Sequence, residues 1–166
     1  MTDLPPPPDG SFASDNAAGV APEVLDALAA ANHGAALAYG QDPWTERMEA
    51  LLRERFDAPV AAFPCWGGTG ANVVGLAAVM KPWEAVVCAD CAHVVVDEAG
   101  ALTRFAGVTV VPVPHDEGRL TPDAIDPYLQ WRGSEHHPQP RVVSVTQATE
   151  HGAAYTPDQL GAVADA

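Results

Sequence analysis

The chain has 166 residues, 48% of them hydrophobic and 18% charged, which suits one domain with a real core and excludes a disordered polymer. Its 22 acidic residues against 8 basic ones give a formal net charge of -14, which repels phosphate backbones and anionic lipid, so no nucleic acid is expected as a partner. No apolar run reaches the roughly 20 residues of a membrane helix and no secretory signal opens the chain, so no membrane partner is expected either. Three cysteines, an odd count, suit a reducing compartment and a cytoplasmic protein.

Met1 to Gly10 holds four consecutive prolines, Pro5 to Pro8, and reads as a disordered, extended leader. Ser11 to Gly19 is polar and turn-rich. Pro22 then suits the first turn of a helix running through Val24, Leu25 and Leu28 to about Ala31, ended by Asn32, His33 and Gly34. After the loop Tyr39 to Thr45, Thr45 can cap a second helix carrying Met48, Leu51, Leu52, Arg55 and Phe56. Residues 11 to 58 therefore form an expected N-terminal helical arm.

From residue 60 strands and helices alternate. Strand Val60 to Phe63 leads to helix Ala71 to Met80, and strand Ala85 to Ala89 leads to a helical stretch near Glu98 to Phe105. Strand Val108 to Val113 leads to helix Pro122 to Gln130; Val142 to Thr146 is a fourth strand, and Thr156 caps a helix from Pro157 to Ala166. Strands that are nearly unbroken apolar runs, alternating with helices, predict an α/β protein of three layers, α/β/α, with a mostly parallel sheet covered on both faces. Such sheets bind ligands at the carboxyl ends of their strands. CWGGTGAN (Cys65 to Asn72), ADCAH (Ala89 to His93) and TQATEHG (Thr146 to Gly152) all occupy those ends.

Glycines between a strand and a helix tolerate a tight turn and let backbone N–H groups approach a ligand, and the helix N-terminus adds unpaired donors and partial positive charge. A phosphate suits that position. Two cofactor classes compete for it. An NAD(P)-type dinucleotide is favoured by Gly68-x-Gly70 and by Asp90 at the end of the next strand, and disfavoured by Val73 at the third glycine position. A nucleoside triphosphate is excluded, because no lysine follows the glycines. The other class is a single phosphate carrying a ring: Gly68 to Ala71 and the Thr69 hydroxyl would hold the phosphate, and His93 is a planar group in the loop where a stacking partner is wanted.

Cys88-x-x-Cys91 with His93 two residues on has metal or redox spacing, but no second ligand pair follows. Small buried residues at a strand end are the expectation, and no metal. His136 and His137, in a proline-containing loop, read as solvated side chains.

The blocks SFASDNAAGVAPEVLDALAAANHG, YGQDPWTERMEALL, FPCWGGTGANVVGL, VVCADCAHVVVDEAGA and VVSVTQATEHGAAYTPDQL, in this order between Ser11 and Ala166, resemble the N-terminal half of the low-specificity threonine aldolases. These belong to the beta-eliminating lyase group of the aspartate-aminotransferase fold, the fold type I large domain of pyridoxal 5'-phosphate (PLP) enzymes. The resemblance implies PLP as cofactor and an enzyme, a carbon–carbon lyase cleaving L-threonine, allo-threonine or related β-hydroxy-α-amino acids to glycine and an aldehyde. It implies a small-molecule amino-acid substrate and a homodimer or homotetramer.

The same resemblance implies that Gly68, Thr69 and Gly70 contact the cofactor phosphate, and that His93 stacks on the pyridine ring and assists proton transfer. Ser14 matches the residue at the substrate carboxylate, Glu98 lies in the pattern A-H-x-x-x-x-E with His93, and Tyr39 reaches the site, across a subunit boundary. Many relatives carry Thr-His after the fourth strand, where this sequence has Thr149-Glu150-His151. Either Glu150 or His151 can take the place near the substrate hydroxyl, and either His93 or His151 can be the base.

Such enzymes need a Schiff-base lysine, and the only lysine is Lys81. Eleven residues of helix place it roughly 16 Å from the glycine turn, on the wrong side of the sheet. The chain also stops within an apparent helix at AVADA. Residues 59 to 166 are therefore expected to be the first half of the large domain, incomplete and inactive alone. A non-catalytic paralogue that only binds at the phosphate pocket is a further reading.

Overall fold

The structure is a computed structural model that describes residues 17 to 166; the expected proline leader and Ser14 lie outside the described residues. The chain divides into two compact units, Met1–Phe63 and Pro64–Ala166.

The first unit carries α1 (Pro22–Ala31) and α2 (Pro43–Phe56), each with proline in its first turn, where the missing N–H costs nothing. The cap of α2 is Asp42 rather than the expected Thr45. One carboxylate oxygen of Asp42 accepts from Trp44 N–H at 3.0 Å and Thr45 N–H at 2.9 Å, and the other accepts from the Thr45 hydroxyl at 2.7 Å. The Thr45 hydroxyl, with the Thr45 and Trp44 amides, holds the Asp42 carboxyl below its usual range. A carboxylate satisfies several donors at once, whereas a hydroxyl two residues inside the helix cannot reach them. Neither helix contains a buried residue, and Leu25, Leu28, Trp44 and Phe56 are exposed.

The second unit runs α3 (Gly68–Val79), β1 (Glu84–Ala89), α4 (His93–Val96), α5 (Ala101–Ala106), β2 (Thr109–Val113), α6 (Pro122–Leu129), β3 (Gln139–Ser144) and α7 (Pro157–Asp165). The sheet has the order β2-β1-β3 and both pairings are parallel, with Val86 opposite Val110 on one side and Val142 on the other. As the period of a strand requires, β1 sends alternate residues to opposite faces. Ala85 and Val87 pack with Ile125 of α6 and Val163 of α7, while Val86 packs with Leu76 of α3 and Leu102 of α5. These are the expected three layers. Double coverage explains why EAVVCA reads as an almost continuous apolar run.

Two further expectations need correction. Val60 to Phe63 is not a strand; the sheet among the described residues has three strands, and Phe63 is 78% exposed. An apolar run becomes a strand only where a neighbour supplies a ladder, and periodicity says nothing about that neighbour. The single helix expected near Glu98 to Phe105 is interrupted. α4 stops at Val96 with Asp97 (φ −122°) as its cap, and Ala99 (φ 51°) and Gly100 (φ 69°), both left-handed, hold it apart from α5. Glu98 thereby sits in the break between two short helices instead of on a helix face.

Thr156 caps α7 as expected, in a reciprocal capping box with Gln159. Because β1 lies in the middle, the chain leaves it toward β2 on one side and later returns to β3 on the other. That reversal is where open α/β sheets form a crevice. Among the described residues no helix is long and apolar enough to cross a membrane.

Candidate active site

The carboxyl end of β1 starts the site. Past Ala89, Asp90 N–H donates to Val113 O at 3.0 Å and Ala92 N–H donates back to Ala89 O at 2.9 Å, so the chain turns sharply into α4 with His93 as its first residue. The first N–H groups of a helix need partners from outside it. For His93 that partner is the Glu150 carboxylate, which accepts its N–H at 2.9 Å and the Thr146 hydroxyl at 3.1 Å.

The His93 ring is held from its other side. Nδ1 lies 2.9 Å from Glu98 Oε1, and the Asn72 side-chain amide donates to the same oxygen at 2.6 Å. The Glu98 side chain is 0% exposed and that of His93 is 56% exposed, so the carboxyl is sealed while the imidazole faces outward. The second oxygen, Glu98 Oε2, is buried without a hydrogen-bond partner. Asn72 belongs to α3, four residues beyond Gly68, about 6 Å along the axis. One carboxylate thus connects the helix of the glycine turn to His93.

At the start of α3 the cap residue Gly67 is extended and offers no side-chain acceptor, while Ala71 N–H bonds Gly67 O at 3.1 Å. By helix geometry the N–H groups of Gly68, Thr69 and Gly70 precede the internal ladder. A methyl group built on Gly67, Gly68 or Gly70 would meet nothing within 4 Å. The turn is an open cradle of donors, and its chemistry fits a phosphate.

A second cluster forms at the neighbouring strand ends. His115 Nδ1 accepts from Gly118 N–H at 2.8 Å, so the ring proton is on Nε2, which donates to Asp90 Oδ1 at 3.2 Å. The His151 ring meets His115 edge-on at 5.0 Å, and ligand atoms of Cys91, His115 and His151 lie within 4.8 Å of one another. The set has metal-like composition, yet the lone pair of His115 is already used by Gly118, and a metal needs that lone pair. The thiols do not favour one either. Burial first, then repulsion from Glu150, pushes Cys88 up from 9.0 to about 12, and burial raises Cys91 in the same direction. Metal binding requires thiolate.

The Cys88 shift has a measurable sign. Between pH 9.0 and about 12 the unfolded chain has lost this proton and the folded chain keeps it, so stability falls as pH rises. Each pH unit in that window is expected to remove up to about 1.4 kcal/mol. Cys91 and Tyr155, raised by burial, act in the same direction. Urea midpoints measured at about pH 8 and about pH 10 check this, and Cys88→Ala should flatten the difference.

The residues singled out in the sequence are thus partly brought together. Gly68, Thr69 and Gly70 open α3; Glu98 and Glu150 hold His93; His151 is exposed and lies against His115. Tyr39 is fully exposed, with φ 63°, in the first unit. Lys81 precedes the first residue of β1, its N–H bonded to Glu84 Oε2 at 2.7 Å and its ammonium over the Trp83 ring at 5.3 Å. It is at the opposite end of that strand from His93. Asn72 was missed, although it is the one polar side chain between Ala71 and Val79. Another groove, of about 440 Å3, is lined by Ile125, Leu129, Val143 and Val163; none of the residues above lines it.

The chain is 42% identical over 153 residues to the low specificity L-threonine aldolase of Pseudomonas aeruginosa, covering 92% of this chain and 44% of that one. It is 32% identical over 117 residues to the low-specificity L-threonine aldolase of Candida albicans, covering 69% of this chain and 31% of that one. Among solved structures, the threonine aldolase of Leishmania major matches with a TM-score of 0.82 at 31% identity, over 89% of this chain and 43% of that chain. The chain therefore spans less than half the length of these relatives. Residues 11–166 match the beta-eliminating lyase family, a span that takes in all three strands of the sheet and each of the groups around His93, and the chain belongs to that family.

Proposed function

We propose that this chain supplies the phosphate-holding and ring-stacking side of a PLP-dependent carbon–carbon lyase, which cleaves L-threonine, allo-threonine or related β-hydroxy-α-amino acids to glycine and an aldehyde. The observation that carries the proposal is the direct linkage of the open α3 N-terminus to His93 through Glu98. When bound, PLP supplies an electron sink for the bond broken at the substrate Cα. Gly68, Thr69 and Gly70 hold the phosphate with backbone N–H groups and the Thr69 hydroxyl, at the positive end of α3. His93 would stack on the pyridine ring, and its Nε2 would take the proton of the substrate hydroxyl. Glu150 keeps His93 in place through its backbone, while Ser14, Tyr39 and His151 serve the substrate. The reacting lysine is not Lys81; the proposal puts it in the portion of the relatives' length that this chain does not span.

The exposed apolar residues of α1 and α2, Leu25, Leu28, Trp44 and Phe56, support a homo-oligomer, in which a second copy covers them. The odd cysteine count supports action in the reducing cytoplasm.

The test joins residues 1 to 166 to the remaining segment of the Pseudomonas aeruginosa relative. The fusion is expected to release glycine from threonine with PLP present, and His93→Ala to lower that rate on the order of 100-fold or more. The 166-residue chain alone should bind PLP reversibly, in competition with inorganic phosphate, and release no glycine. Glycine release by the chain alone refutes the placing of the reacting lysine outside it, and a fully active His93→Ala fusion refutes the role given to His93.

A further inference from the structure

We propose that Glu98 and Asn72 are positioning residues which hold His93 as the Nδ1–H tautomer, leaving the lone pair on the outward Nε2. The significance of that lone pair rests on the role given to His93 above; the tautomer itself does not. The inference starts from one oxygen. Glu98 Oε1 has the Asn72 amide at 2.6 Å and His93 Nδ1 at 2.9 Å. Because the Asn72 group donates, Oε1 is an acceptor there, and the second contact to the same oxygen is satisfied when Nδ1 carries the hydrogen. With Glu98 ionised, or with its proton on Oε2, Oε1 still accepts twice. A neutral imidazole has one N–H, so Nε2 is then bare.

Free histidine in water favours the opposite form, with the hydrogen on Nε2. The protein therefore selects the less common tautomer, and it does so with a group that packing alone would not choose. Glu98 is sealed from solvent, yet its second oxygen has no partner. A leucine of similar size would fill that volume without an orphaned acceptor. The backbone also bends to deliver it: α4 stops at Val96, and left-handed Ala99 and Gly100 separate Glu98 from the start of α5. Asn72 donates from α3, 26 residues earlier, which stops the carboxylate from rotating and links the His93 ring to the helix that begins at the glycine turn. A buried polar atom left unpaired, at a break in regular structure, beside an outward-facing imidazole, is the pattern of a site rather than of a fold support.

The tautomer can be read without cofactor or turnover, by long-range 15N–1H correlation NMR of the 166-residue chain, with His93 assigned by its loss in His93→Gln. The expected result is Nδ1–H in the unsubstituted chain, reversion to the Nε2–H form in Glu98→Leu, and retention of Nδ1–H in Glu98→Gln, which keeps an acceptor oxygen in place. An Nε2–H ring in the unsubstituted chain overturns the proposal, and needs no variant to fold. So does an unchanged Nδ1–H signal in folded Glu98→Leu. If the tautomer behaves as stated but PLP and inorganic phosphate fail to bind, the positioning stands and the reading of the site falls.

Discussion

Gly118→Val is expected to destabilise the Pro64–Ala166 unit by about 3 kcal/mol or more, from two costs that add at one position. Gly118 has φ +82°, where a β-branched residue is strained, and a Cβ there would lie 2.6 Å from Thr149 Cβ and 2.9 Å from Thr149 Oγ1. Thr149 has little freedom to withdraw. It is buried, its hydroxyl donates to Glu117 O at 2.8 Å and accepts from Ala153 N–H at 3.1 Å, and its own N–H bonds Ala153 O. The next residue is Glu150, which holds the His93 amide, so the same clash should disturb the site. Gly133→Val is the control: φ is +81° but nothing lies within 4 Å, leaving the strain cost alone, about 1 to 2 kcal/mol. Urea unfolding followed by circular dichroism measures both, and equal losses would show that the Thr149 contact contributes nothing.

Leu102→Ala should cost about 2 to 5 kcal/mol. Leu102 is 0% exposed and packs among Met80, Val86 and Val108 with Leu76 and Val110 around them, so truncation leaves a cavity between α5 and the sheet. Two rigid layers cannot both close on the space, which is why the loss exceeds the transfer free energy of the missing methyl groups. Phe105→Ala, by contrast, trims a side chain 75% exposed in α5 and should stay within about 0.5 kcal/mol. A comparable loss of urea midpoint from Phe105→Ala would mean that α5 buries this side chain in solution.

Several elements were legible because their cause is local. EAVVCA and TVVPV read as strands since a strand covered on both faces must be apolar at nearly every position. Pro22, Pro122 and Thr156 marked helix starts because the first turn has donors to satisfy and tolerates the N–H that proline lacks. The glycine turn was legible for the same kind of reason, as its exposed donors belong to consecutive residues. Val60 to Phe63 misled, since its apolar run says nothing about whether a partner strand lies alongside it.

By itself, then, the sequence determined the alternation of strands and helices after residue 84, and the open glycine turn at the start of α3. Tertiary structure alone decided which groups meet there: Asn72 with Glu98 across 26 residues, Glu150 with His93 across 57, and Cys91 with His115 and His151. Periodicity records whether a side chain is buried, whereas these meetings depend on strand order. With β1 placed between β2 and β3, the loops after all three strands converge on one rim, and no local pattern of residues encodes that order.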